Sequence, residues 1–139
     1  MGSSARALLC VGLALALMSA CKPSSSAVEE PLTPEGKAYV RNLKFSEVGM
    51  RATESYAKQV ITEIEGKITN AGAQTVDFAE VTCVFYDSMN QFVLRERVPI
   101  IKQPLKPGET RSFRLPFDNL PESWNNQMPQ LVIARIKLS

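Results

Sequence analysis

From residue 60 onward, apolar and polar residues alternate in short runs that end at turn-forming residues. In the clearest run, Val60, Ile64 and Ile68 share one parity, whereas Glu63 and Glu65 share the other. Successive side chains of a strand point to opposite faces, so this period indicates strands with one face in water rather than helices. Similar runs cover residues 42–48, 74–87, 91–100, 111–117 and 130–138. The sequence therefore predicts an all-β domain.

Turn-forming residues separate these runs at Asn70–Gly72, Asp87–Asn90 and Leu105–Glu109. Short strands at this spacing predict an immunoglobulin-like β-sandwich of about seven antiparallel strands, and a partly open barrel is the alternative. A change of phase at Ala79–Glu80 predicts a β-bulge, because one extra residue reverses which side chains face inward. Residues 49–58 do not alternate, and we expect a short helical turn there.

The first 20 residues differ in character from this domain. Arg6 is their one charged residue, and the apolar run 7–20 is shorter than the roughly 20 residues that span a bilayer. A positive start, a short apolar run and small residues at its end are typical of a secretory signal. The order Leu17–Cys21 resembles the bacterial lipobox, although Met18 stands where that motif usually has leucine.

The lipobox resemblance implies that Cys21 is acylated and becomes the N-terminus of a protein in the bacterial cell envelope. Lys22 follows it instead of the aspartate associated with inner-membrane retention, which favours the periplasmic face of the outer membrane over the inner membrane. A simple secreted protein is the alternative. Residues 22–36, rich in proline, serine and glutamate, are predicted to be a flexible tether. The predicted parts are a signal peptide (1–20), the lipidated cysteine with its tether (21–36) and a β-sandwich domain (37–139).

Three motifs in the strand region resemble the bacterial FxLYD domain, an immunoglobulin-like module. They are Glu65–Asn70, Cys83–Asp87, and the turn Leu105–Glu109 with Phe113 after it. Tyr86 and Asp87 match the motif that names the family, whereas Cys83 and Phe85 replace its Phe and Leu. The resemblance implies an extracytoplasmic sandwich and no known chemistry, so it assigns no catalytic residue and no cofactor.

Composition excludes several classes of function. The chain has no histidine, so it contains neither a Ser-His-Asp nor a Cys-His catalytic set, and no histidine-ligated zinc. A net charge of +2 is too small to indicate a nucleic-acid partner. Once the signal is removed and Cys21 is acylated, Cys83 is the remaining thiol, and its strand pattern predicts that it is buried and unpaired. We predict no catalytic residue and no metal ligand.

Several polar clusters have both a functional and a structural explanation. Glu63 and Glu65 share a strand face, as paired carboxylates of sugar hydrolases can, but a solvated face also explains them. Asp87, Ser88 and Asn90 carry oxygen ligands of the kind calcium prefers, but they also suit a turn. A basic cluster able to meet anionic lipid or polysaccharide, diluted by acidic neighbours, comprises Arg95, Arg97, Lys102, Lys106, Arg111 and Arg114.

The connection before the last strand carries the candidate binding loop, Trp124, Asn125 and Asn126. Aromatic residues beside amides are common in protein and carbohydrate contacts, and the alternative is that Trp124 caps an open end of the core. The sequence therefore predicts a lipid-anchored binding or interaction module of the cell envelope without catalytic activity. It would attach to the membrane through its lipid and contact an envelope protein or polysaccharide. The alternatives are a structural subunit of an envelope complex and an envelope-polymer hydrolase.

Overall fold

The computed structural model of the chain describes residues 32–139. These residues form one helix and six strands: α1 (Pro34–Val40), β1 (Leu43–Glu54), β2 (Val60–Asn70), β3 (Val76–Tyr86), β4 (Phe92–Ile101), β5 (Thr110–Phe117) and β6 (Gln130–Leu138). The predicted signal peptide, Cys21 and most of the predicted tether lie outside the described residues. Within residues 32–139, no helix is long and apolar enough to cross a membrane.

The strands form two separate three-stranded antiparallel sheets, in the orders β1-β2-β5 and β4-β3-β6. In immunoglobulin domains, strands A-B-E and C′-C-F occur in these two orders. The all-β sandwich is therefore confirmed, with six strands in the described residues against about seven expected. Because the two sheets share no hydrogen-bonded strand pair, the arrangement is a sandwich and not a partly open barrel.

The core lies between the two sheets and is organised around aromatic rings. Phe85 of β3 meets Phe117 of β5 edge to face, with ring centroids 5.1 Å apart. Phe45 and Phe113 form a second such pair within the β1-β2-β5 sheet, at 5.8 Å. Edge-to-face contacts of buried rings add about 0.5–1.5 kcal/mol to the free energy of burial. These rings join the alternating aliphatic residues of both sheets into one buried cluster.

Two local predictions were wrong near the start of the domain. The expected helical turn at 49–58 is absent, since β1 continues to Glu54 and pairs with β2 from Val60 onward. Its irregular pattern comes from its position at a sheet edge, where most side chains are half-buried or exposed. The helix α1, which was not predicted, begins at Pro34, inside the predicted tether. Thr33 caps it by accepting a hydrogen bond from the backbone N–H of Gly36.

The inward face of β3 changes phase at a bulge near the predicted position. The ladder is irregular at Ala79–Glu80 against β4, where the extra residue is Ile100 of β4. Against β6 it is irregular at Glu80–Val81, where the extra residue is Ala134 of β6. The extra residue of β3 is Asp77, so Phe78 faces away from the core while Ala79 is fully buried. The phase change expected at Ala79–Glu80 implies that Val76 and Phe78 share the inward face, and the bulge at Asp77 makes that wrong for Phe78.

Gly66 sits on the inward face of β2 and leaves room for an aromatic ring. A Cβ atom there would lie 2.9 Å from Cζ of Phe113 and 3.1 Å from Cγ2 of Val48. Phe113 is the cross-strand partner of Gly66, so its ring fills the space that a side chain would need. A glycine inside a strand usually indicates the close approach of another backbone. Here the group that approaches Gly66 is instead the ring of Phe113.

Asn70 ties together three parts of one end of the sandwich. Its Oδ1 accepts hydrogen bonds from the Tyr39 hydroxyl at 2.8 Å and from the Gly72 N–H at 3.1 Å. Its Nδ2 donates to the carbonyls of Gln74 at 2.7 Å and Leu105 at 2.9 Å. One fully buried amide thus connects α1, the β2–β3 turn and the chain before β5.

Candidate interaction surface

The antiparallel strands give the sandwich two distinct ends. The entry end holds residue 32, α1 and the connections 71–75 and 102–109, which meet around Asn70. The loop end holds the connections 55–59, 87–91 and 118–129. The third of these crosses between the sheets and is joined to the second, because the Asn125 side-chain amide donates to the Asp87 carbonyl at 3.3 Å. The two ends are separated by the strand length, about 30 Å for nine or ten residues.

Every exposed large hydrophobic side chain of the described residues lies at the loop end. Each belongs to one of its three connections or lies near the start of the strand that follows. They are Tyr56, Val60, Met89, Phe92, Met128 and Val132. Single exposed apolar side chains are ordinary, but grouping them at one end of a domain indicates a contact surface.

A bulge turns Phe92 out of the core. The alternation of the sequence predicts Phe92 on the inward face together with Leu94. In the structure, Tyr86 pairs with Phe92 and the preceding residue of β3 pairs with Leu94, so Val93 is the extra residue between them. The Phe92 ring is consequently 57% exposed, and the Arg95 guanidinium lies 5.6 Å from its centroid. Bulges often re-aim a side chain in this way, and the inward prediction for Phe92 was wrong.

Trp124 belongs to the core, as the capping alternative predicted. Its ring is 8% exposed and meets Phe85 edge to face at 5.7 Å. Asn125 is also used structurally, since its Nδ2 donates to the Asp87 carbonyl at 3.3 Å and its Oδ1 accepts from the Gln127 N–H at 2.9 Å. Neither residue is the exposed contact that the sequence suggested, because local bonds and packing occupy both side chains.

Asn126 and one wall of Trp124 border a cleft of about 220 Å³ between the β1–β2 hairpin and the last connection. Its apolar lining includes Val60 and Leu120, and its acidic lining is Asp118 and Glu122. The backbone of Asn126 is in the left-handed region, with φ of 58°, which asparagine tolerates better than most residues. Of the three candidate binding residues, Asn126 is therefore the one with a side chain left for an external contact.

Most ion pairs of residues 32–139 lie on the β1-β2-β5 sheet, and none involves a charged side chain of the loop end. The ion pairs are Arg51–Glu63, Arg51–Glu65, Lys67–Glu47, Arg97–Glu80, Arg111–Glu109, Arg114–Glu63 and Arg114–Glu65. Within residues 32–139, Glu54, Asp118 and Glu122 form no ion pair. The three connections of the loop end hold three carboxylates, Asp87, Asp118 and Glu122, against one cation, Lys58, a net charge of −2.

Half of the predicted basic cluster is engaged by other groups of the domain. Arg97 and Arg114 pair with carboxylates, and Arg111 donates to the carbonyls of Gln103 and Pro104 at 2.6 and 2.8 Å. These three side chains therefore have structural roles. Glu63 and Glu65, the paired carboxylates, likewise lie in the ion-pair network with Arg51 and Arg114. A solvated, charge-paired strand face accounts for them.

The Asp87 turn uses its carboxylate internally. Oδ1 accepts hydrogen bonds from the N–H groups of Met89 at 2.9 Å and Gln91 at 2.8 Å, as an Asx turn requires. Among residues 32–139, no three acidic or cysteine side chains come close enough together to hold a metal ion. The carboxylate of Asp87 thus fixes the backbone of the turn that carries Met89 at the loop end.

Cys83 is buried and free, as its strand position predicted. Burial, with a smaller contribution from the negative charge of Glu96, raises the pKa of its thiol to about 12. The thiolate is the reactive form, so we expect iodoacetamide to label native Cys83 at pH 8 about a thousandfold more slowly than the unfolded chain. Peptide mass spectrometry of Cys83 measures both rates, and equal rates would contradict its burial. The thiol loses its proton near pH 9 in the unfolded chain, but only near pH 12 in the folded chain. The free energy of unfolding should therefore decrease as the pH rises from about 9 to 12.

No family model matches the chain, and no curated protein is significantly similar to it. Among solved structures, a Bordetella pertussis protein provisionally assigned as ApaA is similar, with a TM-score of 0.39 and 19% identity over 69% of this chain and 90% of that chain. At this level of likeness, the fold assignment depends on the two sheets themselves. The lipobox and FxLYD resemblances stay predictions.

Sequence reasoning did not find most of the loop-end surface. Met89 and Tyr56 stand in turns, where a signal was available: large apolar residues are unusual among turn formers. Phe92 and Val132 gave no such signal, because strand alternation explains both equally well as core residues. The candidate loop lies at the loop end, but its tryptophan faces inward.

Proposed function

We propose that this chain is a lipid-anchored interaction module of the bacterial cell envelope, with no catalytic activity of its own. The observation that carries the proposal is the polarity of the domain. The chain that leads back to Cys21 enters at one end, and all exposed large hydrophobic side chains of residues 32–139 lie at the other. An acyl anchor at Cys21 would therefore leave the apolar end free to contact another molecule of the envelope.

The distance between anchor and domain suits this arrangement. The chain between Cys21 and Leu32 can extend to about 35–40 Å, and the sandwich adds about 30 Å. The loop end can then act about 65–70 Å from the lipid surface, beyond the headgroups. The FxLYD resemblance, which implies an extracytoplasmic sandwich, is consistent with this location.

The chemistry of the described residues supports binding rather than catalysis. The one described thiol is buried, and the paired carboxylates Glu63 and Glu65 are engaged by arginines. The loop end offers apolar side chains and unpaired carboxylates, which are the groups of a recognition surface. If the partner is obligate, the chain is a structural subunit. Purification from membranes in mild detergent separates the cases, because a subunit stays in a complex that survives dilution and a transient module is recovered alone.

The anchor is tested by replacing Cys21 with serine. We expect the wild-type chain to incorporate an alkyne-tagged palmitate and to sediment with membranes. Cys21→Ser should lose both the label and the sedimentation, because the lipid is attached through a thioether and serine has no sulfur atom to form it. The matched control is Cys10→Ser, which removes a cysteine of the predicted signal and should leave labelling and fractionation unchanged. Sucrose-gradient separation of wild type tests the outer-membrane preference.

Unchanged labelling and sedimentation of Cys21→Ser would refute the lipid anchor. A released but still processed Cys21→Ser chain would support it. Neither result depends on the loop end, which is tested separately below.

A further inference from the structure

We propose that the loop end binds a polypeptide segment carrying lysine or arginine among apolar residues. The cation would lie at the acidic mouth of the cleft, and the apolar side chains would cover Met89 and Phe92. This inference rests on the proposed function and names the chemistry of the partner.

The cleft has the lining that a lysine or arginine side chain requires. Its walls include Val60 and Leu120, which suit the aliphatic stem of such a residue. Asp118 and Glu122 line the same cleft and have no ion-pair partner within the described part of the chain. Their exposed carboxylates would gain charge-assisted hydrogen bonds from an incoming ammonium or guanidinium group.

The second half of the surface is apolar and adaptable. Met89 is 76% exposed at the tip of the β3–β4 hairpin, and Phe92 is 57% exposed just after it. The Arg95 guanidinium lies over the Phe92 ring, and the hydrogen-bonded Asp87 turn ends at Gln91, the residue before it. Aromatic residues and methionine are enriched at protein interfaces, where their burial supplies much of the binding energy. A rigid ring beside a flexible thioether suits a short apolar segment.

Charge favours a basic polypeptide over a bilayer or a second copy of this chain. Anionic headgroups would be repelled by the net charge of −2 on the loop end, since the unpaired acids Asp118 and Glu122 line the same cleft as Val60. Two loop ends facing each other would bring these like charges together. A segment with cations among apolar residues complements both halves of the surface at once.

The test uses the full chain carrying Cys21→Ser and a synthetic peptide of alternating lysine and leucine as the probe. We expect amide chemical shifts to change at residues 87–92 and 118–129, and the peptide of alternating glutamate and leucine to cause no such change. The double variant Asp118→Asn with Glu122→Gln should weaken binding about tenfold, and 0.5 M NaCl should do the same. The matched control is Glu35→Gln, an exposed carboxylate of the entry end, which should bind as wild type.

Several outcomes overturn the inference: no binding, shifts spread over the entry end, equal shifts with the acidic peptide, or a double variant that binds unchanged. Binding of phosphatidylglycerol vesicles through the same residues would identify a lipid surface instead. A concentration-dependent dimer joined at these residues would identify a second copy. Equal thermal unfolding of all variants ensures that lost binding is not lost folding. Because no membrane is present, failure here is distinguishable from failure of the anchor, which only Cys21→Ser reports.

Discussion

Replacing Trp124 by alanine is expected to lower the free energy of unfolding by about 3–5 kcal/mol. The indole fills the space between the sheets at the loop end and contacts the ring of Phe85 edge to face. Its removal leaves a cavity beside one of the largest fully buried side chains, and the surrounding sheets can collapse into it only in part. Urea unfolding followed by circular dichroism measures the change.

Trp124→Phe is the matched variant for this prediction. The Nε1 atom of Trp124 is buried and has no hydrogen-bond partner within residues 32–139. A buried unpaired N–H lowers stability by about 1–3 kcal/mol, so its removal offsets part of the lost ring contact. We therefore expect Trp124→Phe to be much closer to wild type than Trp124→Ala. An alanine variant as stable as wild type would show that the ring is not part of the core.

Replacing Asn70 by alanine is expected to destabilise the domain by at least about 3 kcal/mol. The change removes four hydrogen bonds, those to the Tyr39 hydroxyl, the Gly72 N–H and the carbonyls of Gln74 and Leu105. Tyr39, Gln74 and Leu105 keep other bonds, from Tyr39 to the Gln74 carbonyl and from the Val76 N–H to the Leu105 carbonyl. Each lost bond contributes about 0.5–1.5 kcal/mol, and the four losses together give the expected destabilisation. Thermal and urea unfolding measure the loss.

Asn119→Ala is the matched control, since Asn119 is exposed and its side-chain amide, within residues 32–139, donates only to the neighbouring Asp118, at 3.2 Å. It should change stability by less than about 0.5 kcal/mol. Tyr39→Phe should destabilise by less than Asn70→Ala, and the two changes should not add, because they share one hydrogen bond of 2.8 Å. Strict additivity, or an Asn70→Ala variant with wild-type stability, would contradict the role of this network.

Local pattern was sufficient for most of the strands. Apolar and polar residues alternate in β2 and in β5 because one face of each strand is buried and the other is in water. The polarity of each residue therefore indicates which face it occupies. The turn at Pro107–Gly108 was also predictable from residue type, and Gly108 has a φ of +79° there. Glycine adopts this conformation without strain, so the residue type indicates the geometry. Thr33 followed by Pro34 is typical of a helix start and could have predicted α1. The helix was missed because the residues around it are rich in proline, serine and glutamate, as in a flexible tether.

The candidate surface was less predictable because it depends on three connections that are distant in sequence. No local signal shows that Val60, Met89 and Met128 lie at the same end of the domain. Nor does any local signal show that Val93 is a bulge, or that Trp124 faces inward while Phe92 faces outward. These outcomes depend on ladder register and on which loop crosses between the sheets.

The sequence by itself determined the all-β class, the turns, the buried thiol Cys83 and the absence of histidine chemistry, because each follows from residue type or from local alternation. Only the tertiary structure decided the sheet order, the pairing of charges on the sheets and the grouping of exposed apolar and acidic side chains at the loop end. The physical reason is that a residue's own chemistry fixes its local conformation. Its neighbours across strands are fixed by the packing of the whole chain.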